Sequence, residues 1–497
     1  MALATNLIVF LAAASLGVAQ AANVPRQAPT QLESCLQSAK VPFIAKSSSV
    51  WKIDSSAYNL RVPFVPAAIA IPTTIEQIQG AVSCGSRLKL KVTAKGGGHG
   101  YSSAGLGGEN GHLVVQLDRM SDVTLNTATN KAIVQAGARL GKVATELFRQ
   151  GARAISHGTC PGVGIVGHAV HGGFGFSSHT RGLAMDWMVG ATVVLANGTV
   201  VHASATENAD LFWGLRGAGS NFGIVASLEF DTFPAPSTVT TFQVALPSWN
   251  TEQNVVAGIQ AMRDFAVNKT PSNLNMRLFS QPNQFTMEGA FYGTIDELNP
   301  VITPLMRAIN GTITSKTTGW MDSLLAYTYG DPMAQTIPYN IHASFYAKSL
   351  ELKDLTGQPL SNFVRYWQNT ANRQGPFSWY FQLDIHGGQN SAVGRVAPDA
   401  TAYAHRDKLF LMQFQDRVAG SGGKPYNKFL DDWISSVTNS MPKSDYGMYI
   451  NYADTALNRT AAQELYYGKN LPRLQQLKAK YDPTELFYYP QSVQPVA

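Results

Sequence analysis

The sequence predicts an α+β fold in two unlike parts followed by a C-terminal return. Three observations carry this. Between about Val62 and Pro234, short apolar strands and helices are punctuated by glycines. After Pro234-Ala-Pro the pattern changes to longer amphipathic helices and strands alternating at period two, up to about Gly447. A closing piece from 448 to 497 carries Asn451-Tyr-Ala-Asp and Tyr481-Asp-Pro. The second part reads as an antiparallel sheet covered by helices.

In chain order, Met1 to about Ala21 is a secretory signal: the apolar run Leu7–Val18 is too short to span a bilayer, and small residues follow it. The mature chain is then expected to be secreted and extracellular. Four sequons, at Asn197, Asn268, Asn310 and Asn458, suit that route. Of three cysteines, Cys35 and Cys84 occupy helix-like contexts in the N-terminal segment and are expected to pair. Cys160 is left over, either as a buried thiol or as an attachment site.

Ala67–Pro72 and Leu90–Lys95 read as strands, with a helix over Thr74–Cys84 between them. Leu113–Leu117 and Ala132–Ala136 are further strands, and Leu140–Gln150 is an amphipathic helix. Ala191–Leu195 and Val200–Ala203 flank Asn197-Gly198, a hairpin signal. Beyond Pro234 the clearest elements are a helix over Ile259–Val267 and strands over Asn275–Phe279 and Tyr380–Asp384. The net charge of +6 is scattered, without the basic run that would bind nucleic acid or membrane.

Two glycine-rich passages stand out. Lys95-Gly-Gly-Gly-His-Gly-Tyr is neither a dinucleotide-binding fingerprint nor a phosphate-binding Walker loop. Alone it could be a tight turn. The second runs from His157-Gly-Thr-Cys-Pro to Gly175. Two such stretches in one region point to a large ligand lying along exposed backbone. His99 and Cys160 are the nucleophilic side chains placed nearest to it.

These loops, with Phe222-Gly-Ile-Val, Asp384-Ile-His-Gly-Gly-Gln-Asn-Ser, Asn451-Tyr-Ala-Asp and the tail from Tyr481-Asp-Pro through Phe487 to Gln491-Ser-Val, resemble the vanillyl-alcohol-oxidase flavoprotein superfamily. Within it they are most similar to the fungal oligosaccharide oxidases of the berberine-bridge-enzyme-like branch. The resemblance spans essentially the whole mature chain. It implies a two-part FAD-binding domain of the PCMH type at 62–234, a substrate-binding domain at 235–447, and a return to the FAD domain at 448–497. It also implies bicovalent FAD, with His99 on the flavin 8α position and Cys160 on C6. Lys95, Gly96, Gly97, Gly98, Gly100, Thr159, Val163, Gly164, Gly167, His168, Gly172, Gly173, Gly175 and Ile224 would line the cofactor. Val163 matches the position associated with oxygen access. No metal is called for.

The implied reaction takes the reducing-end C1 hydroxyl of an oligosaccharide to a lactone, then an aldonic acid. Hydride goes to flavin N5 and O2 becomes H2O2, with Tyr452 as base and Asp384 assisting. A free tyrosine titrates near 10, so a tyrosine base needs help from its surroundings. Tyr101, Arg277, Tyr380, Gln382 and Gln413 would contact sugar. Phe279 departs from the glutamate of the gluco-oligosaccharide type, which opens the choice to xylo-oligosaccharides or other neutral sugars. The alternative is an oxidase of a phenolic, alkaloid-like or other secondary-metabolite alcohol. A monomer is expected.

Overall fold

A computed structural model describes residues 30–337, 339–373, 377–418 and 427–496. The expected signal at 1–21 lies outside the described residues. The first part opens on a four-stranded sheet of Phe43–Ile44 (β1), Ala68–Ala70 (β2), Val92–Lys95 (β3) and Leu113–Gln116 (β4), in the order β1-β2-β4-β3. β4 runs parallel to both β2 and β3. Parallel neighbours need a crossover, and the helix Ile75–Arg87 supplies one. Thr74 caps it by accepting from the Gln77 N–H, and Ile78, Ala81 and Val82 bury its inner face. Cys84 on this helix is bonded to Cys35 on the helix Gln31–Ser38. The pairing expected from sequence is therefore present.

Next comes an antiparallel five-stranded sheet of Val123–Asn126 (β5), Lys131–Gln135 (β6), Met188–Val194 (β8), Val200–Ser204 (β9) and Ile224–Asp231 (β10), in the order β5-β6-β10-β8-β9. A short pair, Arg153–Ala154 (β7) and Phe233–Pro234 (β11), closes this part. The expected hairpin forms between β8 and β9, with Gly198 at φ +82° in its loop.

The second part is one antiparallel sheet of eight strands. These are Val239–Ala245 (β12), Leu274–Gln281 (β13), Gln284–Phe291 (β14), Thr312–Thr318 (β15), Phe345–Leu352 (β16), Phe377–Ile385 (β17), Phe410–Val418 (β18) and Tyr446–Gly447 (β19). Their order is β15-β12-β14-β13-β17-β18-β16-β19. Period-two alternation gives the sheet two different faces. Trp379, Phe381 and Leu383 of β17 are buried among Phe363, Trp367 and Trp433 of the covering helices Gly357–Asn369 and Asn427–Thr438. The alternate residues Tyr380, Gln382 and Asp384 face a cavity. One covering helix runs over Glu252–Asn268, well beyond the expected Ile259–Val267. Its polar first turn, Glu252–Asn254, hides the start from apolar periodicity, and Thr251 caps it by accepting from the Asn254 N–H.

The last helices, Arg459–Tyr467 and Leu471–Tyr481, lead the chain back to the first part. Lys478, fully buried, donates to Asn221 O and pairs with Asp482 at 2.6 Å. The Val92 N–H of β3 donates to Leu486 O, and Leu486 and Phe487 join the core around Val92 and Ile224.

Candidate active site

Between the glycine loops and the open face of the eight-stranded sheet lies a cavity of about 610 Å³. Strand β3 ends at Lys95 and delivers Gly96–Gly98 onto the second loop. A side chain at Gly97 would collide with the backbone of Gly164, its Cβ falling 2.3 Å from that nitrogen, and Gly98 holds φ +67°. Glycine is required here because two backbones touch. The result is that His99 and Cys160 meet: Cys160 Sγ lies 3.6 Å from His99 Nε2. Tyr58 stacks on the His99 ring at 3.8 Å.

The surroundings set the state of both groups. Burial, then the charge of Arg139, hold the His99 imidazole down at about 3, so the ring is neutral and keeps a lone pair for bonding. Burial, and the Asp331 carboxylate 3.9 Å away, push the Cys160 thiol up, against hydrogen bonds from the Gly162 and Val163 backbone and the nearby Arg139. Lys95 is lowered by burial to about 8, and its ammonium donates to Asp54 O at 2.6 Å.

Lys95, Gly96, Gly97, Gly98, Gly100, Thr159, Val163, Gly164, Gly167, His168, Gly175 and Ile224 all line the cavity. A Cβ at Gly100 or Gly167 would meet no atom within 4 Å, so these two glycines leave backbone open to a ligand. His168 also braces the loop, its Nε2 accepting from the Gly158 N–H at 2.9 Å. Gly172 and Gly173 are not on the cavity wall. They turn the chain behind it at φ +118° and +87°, and the Gly173 and Phe174 N–H groups donate to the Tyr449 hydroxyl.

The opposite wall is the sheet. Register places Asp384 across from Arg277, Gln382 across from Phe279 and Gln413 across from Gln382. Gln413 donates to the hydroxyls of Tyr101 and Tyr380, at 2.8 and 3.1 Å. Tyr101 stacks on Tyr452 with centroids 5.9 Å apart. Arg277 is buried and paired with Glu288 at 2.7 Å, and Tyr329 donates to the same carboxylate. Phe279 stacks between Tyr329 and Tyr380.

Asp384 is 2 % exposed, and its Oδ2 has no hydrogen-bond partner among the described residues. Burial pushes it up to about 7; Arg277 opposes this and Glu288 adds to it. Tyr452 is driven well above 10 by burial, then by the charges of Asp384 and Tyr449. A buried carboxyl poised near neutrality thus lies within electrostatic reach of a neutral phenol. The phenol does not ionise on its own; the carboxylate is the group able to keep a proton.

Several cavity residues escaped the sequence reading: Tyr58, Tyr329, Gln415, Arg417 and His171. Gln415 and Arg417 could have been found by stepping along β18 at period two from Gln413. Tyr58 and Tyr329 come from irregular segments, which carry no periodic signal. His171 was passed over between the glycines of the second loop.

The FAD binding domain family matches residues 66–204, and the berberine and berberine like family matches 448–494. Fold and site thus define an FAD-dependent oxidoreductase with the α+β fold of the vanillyl-alcohol-oxidase type. A xylooligosaccharide oxidase of Thermothelomyces thermophilus is 48% identical over 491 residues, covering 98% of each chain. A carbohydrate oxidase of Microdochium nivale is 50% identical over 473 residues, 94% of this chain and 95% of that one. The solved glucooligosaccharide oxidase of Acremonium strictum, with a 6-S-cysteinyl, 8α-N1-histidyl FAD, has a TM-score of 0.92 at 44% identity, covering 94% of this chain and all of its own. The chain therefore belongs to the oligosaccharide oxidases of the berberine-bridge-like FAD-linked family.

Proposed function

We propose that the chain oxidises the reducing-end C1 hydroxyl of an oligosaccharide to a lactone, which water opens to the aldonic acid. The observation that carries this is the Tyr452–Asp384 pair facing the His99–Cys160 pair across one cavity, on a wall of amides and aromatic rings. FAD fits this cavity: open backbone at Gly100 and Gly167 can approach it, while His99 and Cys160 are placed to bond it. Bound there through both residues, FAD supplies acceptance of the C1 hydride and transfer of the two electrons to O2, giving hydrogen peroxide.

The chain's own part is positioning and proton movement. Tyr452 takes the proton of the sugar hydroxyl as it passes its own toward Asp384, so no free phenolate is needed. Gln382 and Gln413 offer amides to sugar hydroxyls, and Tyr101 and Tyr380 offer ring faces. Arg277, locked by Glu288, holds a fixed charge beside Asp384. With Phe279 on this wall, neutral sugars such as xylo-oligosaccharides are the substrates proposed; one relative is named for them. Residues 62–234 would hold FAD, 235–447 the sugar, and 448–497 the catalytic tyrosine. Secretion completes the reading, supported by exposed asparagines at all four sequons, and the chain is proposed to act as a monomer.

A peroxide-release screen over glucose, cellobiose, xylobiose, maltose, lactose and N-acetylchitobiose tests the reading. Turnover of xylobiose or another neutral oligosaccharide is expected. Silence on all six would leave the phenolic or alkaloid-like alcohol oxidase as the better reading.

A further inference from the structure

Arg139 precedes the helix Leu140–Gly151 and is 7 % exposed. Among the described residues no carboxylate lies within ion-pair distance of it. Its recorded partners are two carbonyls and a ring. Nη1 donates to Gly97 O at 2.6 Å and to Gly162 O at 2.5 Å. The Tyr339 ring covers the guanidinium at 4.1 Å and lies 5.8 Å from the His99 ring.

The placement of the two carbonyls matters. Gly97 is two residues before His99, and Gly162 is two residues after Cys160. The backbone of the same stretch grips the second loop: Arg139 bridges Gly164, Leu140 N–H donates to Val163 O at 2.9 Å, and Ile165 N–H donates to Ala138 O at 3.0 Å. The backbone therefore holds one loop while the side chain reaches to the other. A buried cation without a paired anion is costly, and a neutral amide could have joined two carbonyls. The charge itself needs a reason.

We propose that Arg139 is the positioning residue for both flavin tethers, locking the two glycine loops so that His99 and Cys160 can bond one flavin ring. This rests on the bicovalent reading above. In each tethering step a flavin C–H and the His99 N–H or the Cys160 S–H are replaced by a C–N or C–S bond. The two electrons and two protons leave to O2 as hydrogen peroxide. The cation helps in two ways. After burial, it is what keeps the imidazole neutral; at Cys160 it pulls toward the thiolate, the nucleophilic form, against burial and Asp331. Lysine keeps the charge but not the flat guanidinium that the Tyr339 ring covers, and glutamine has no charge.

The test is intact-mass and peptide mapping of denatured holoenzyme from the wild type, Arg139→Lys and Arg139→Gln, with a thermal melt of each. Wild type lacking either bond would overturn the bicovalent reading itself. With both bonds present in wild type, folded variants are expected to retain FAD but show a fall of about tenfold or more in the share of chains bearing both bonds. Wild-type shares in both variants would overturn the proposal. Loss of the folded state in both would make Arg139 a folding residue and overturn it equally.

Discussion

At the scale of single residues, the chemistry rests on what burial does to a carboxyl and a phenol. Asp384, raised to about 7, is protonated in acid and ionised above neutrality. In the proposed mechanism the ionised form accepts the proton, so sugar-dependent flavin reduction should rise with pH through about 7 and then level off. Stopped-flow traces across that range would show the limb, and Asp384→Asn should flatten it at a low rate. Tyr452, held well above 10, adds no limb near neutrality. Tyr452→Phe should keep the bound flavin yet slow reduction by roughly 10²–10⁴-fold, the usual weight of a general base. Unchanged reduction in that variant would point to another proton acceptor. Both residues were legible as motif members, but their mutual electrostatics were not. A carboxylate beside a tyrosine could raise or relay; only the tertiary structure shows that Asp384 is buried with one oxygen unpartnered and that its charge raises Tyr452.

At the scale of elements, the glycine loops have two kinds of glycine, indistinguishable in sequence. Gly97 touches the backbone of Gly164; Gly167 borders open space. Gly97→Ala should therefore lower both the melting temperature and the flavin-to-protein ratio. Gly167→Ala should fold but bind less flavin, because its methyl points where the ligand lies. Absorbance of the purified variants together with a thermal melt separates these outcomes. Equal behaviour of the two would mean that Gly167 does not border the flavin. Gly172 and Gly173 were grouped with the cofactor glycines, yet they turn the chain behind the wall. Strands were legible wherever alternation was strict, as over Tyr380–Asp384. The start of Glu252–Asn268 was not, because its first three residues, Glu252–Asn254, are polar.

At the scale of the molecule, pH acts on stability through groups buried far from water. His168 and His386 are held at about 3, and His171, His179 and His405 at about 4, in each case chiefly by burial. Below 6.5 the unfolded chain takes up these protons and the native one does not, so acid destabilises. Glu351 and Asp384 act oppositely: raised to about 8 and 7, they bind protons in the native state first. Five histidines outweigh two carboxyls, so the melting temperature should fall on acidification from about 6.5 toward about 4.5. A melting series in matched ionic strength checks the sign; a rise would show that the carboxyls dominate. The sequence by itself determined the α+β division, the Cys35–Cys84 pairing and the two loops bearing His99 and Cys160. Local pattern and short motifs suffice for these. Only the tertiary structure decided that His99 Nε2 and Cys160 Sγ lie 3.6 Å apart, that Arg139, with no carboxylate partner among the described residues, ties their loops together, and that Asp384 is poised near neutrality. Such facts depend on burial and on contacts between residues distant in the chain, which no local pattern encodes.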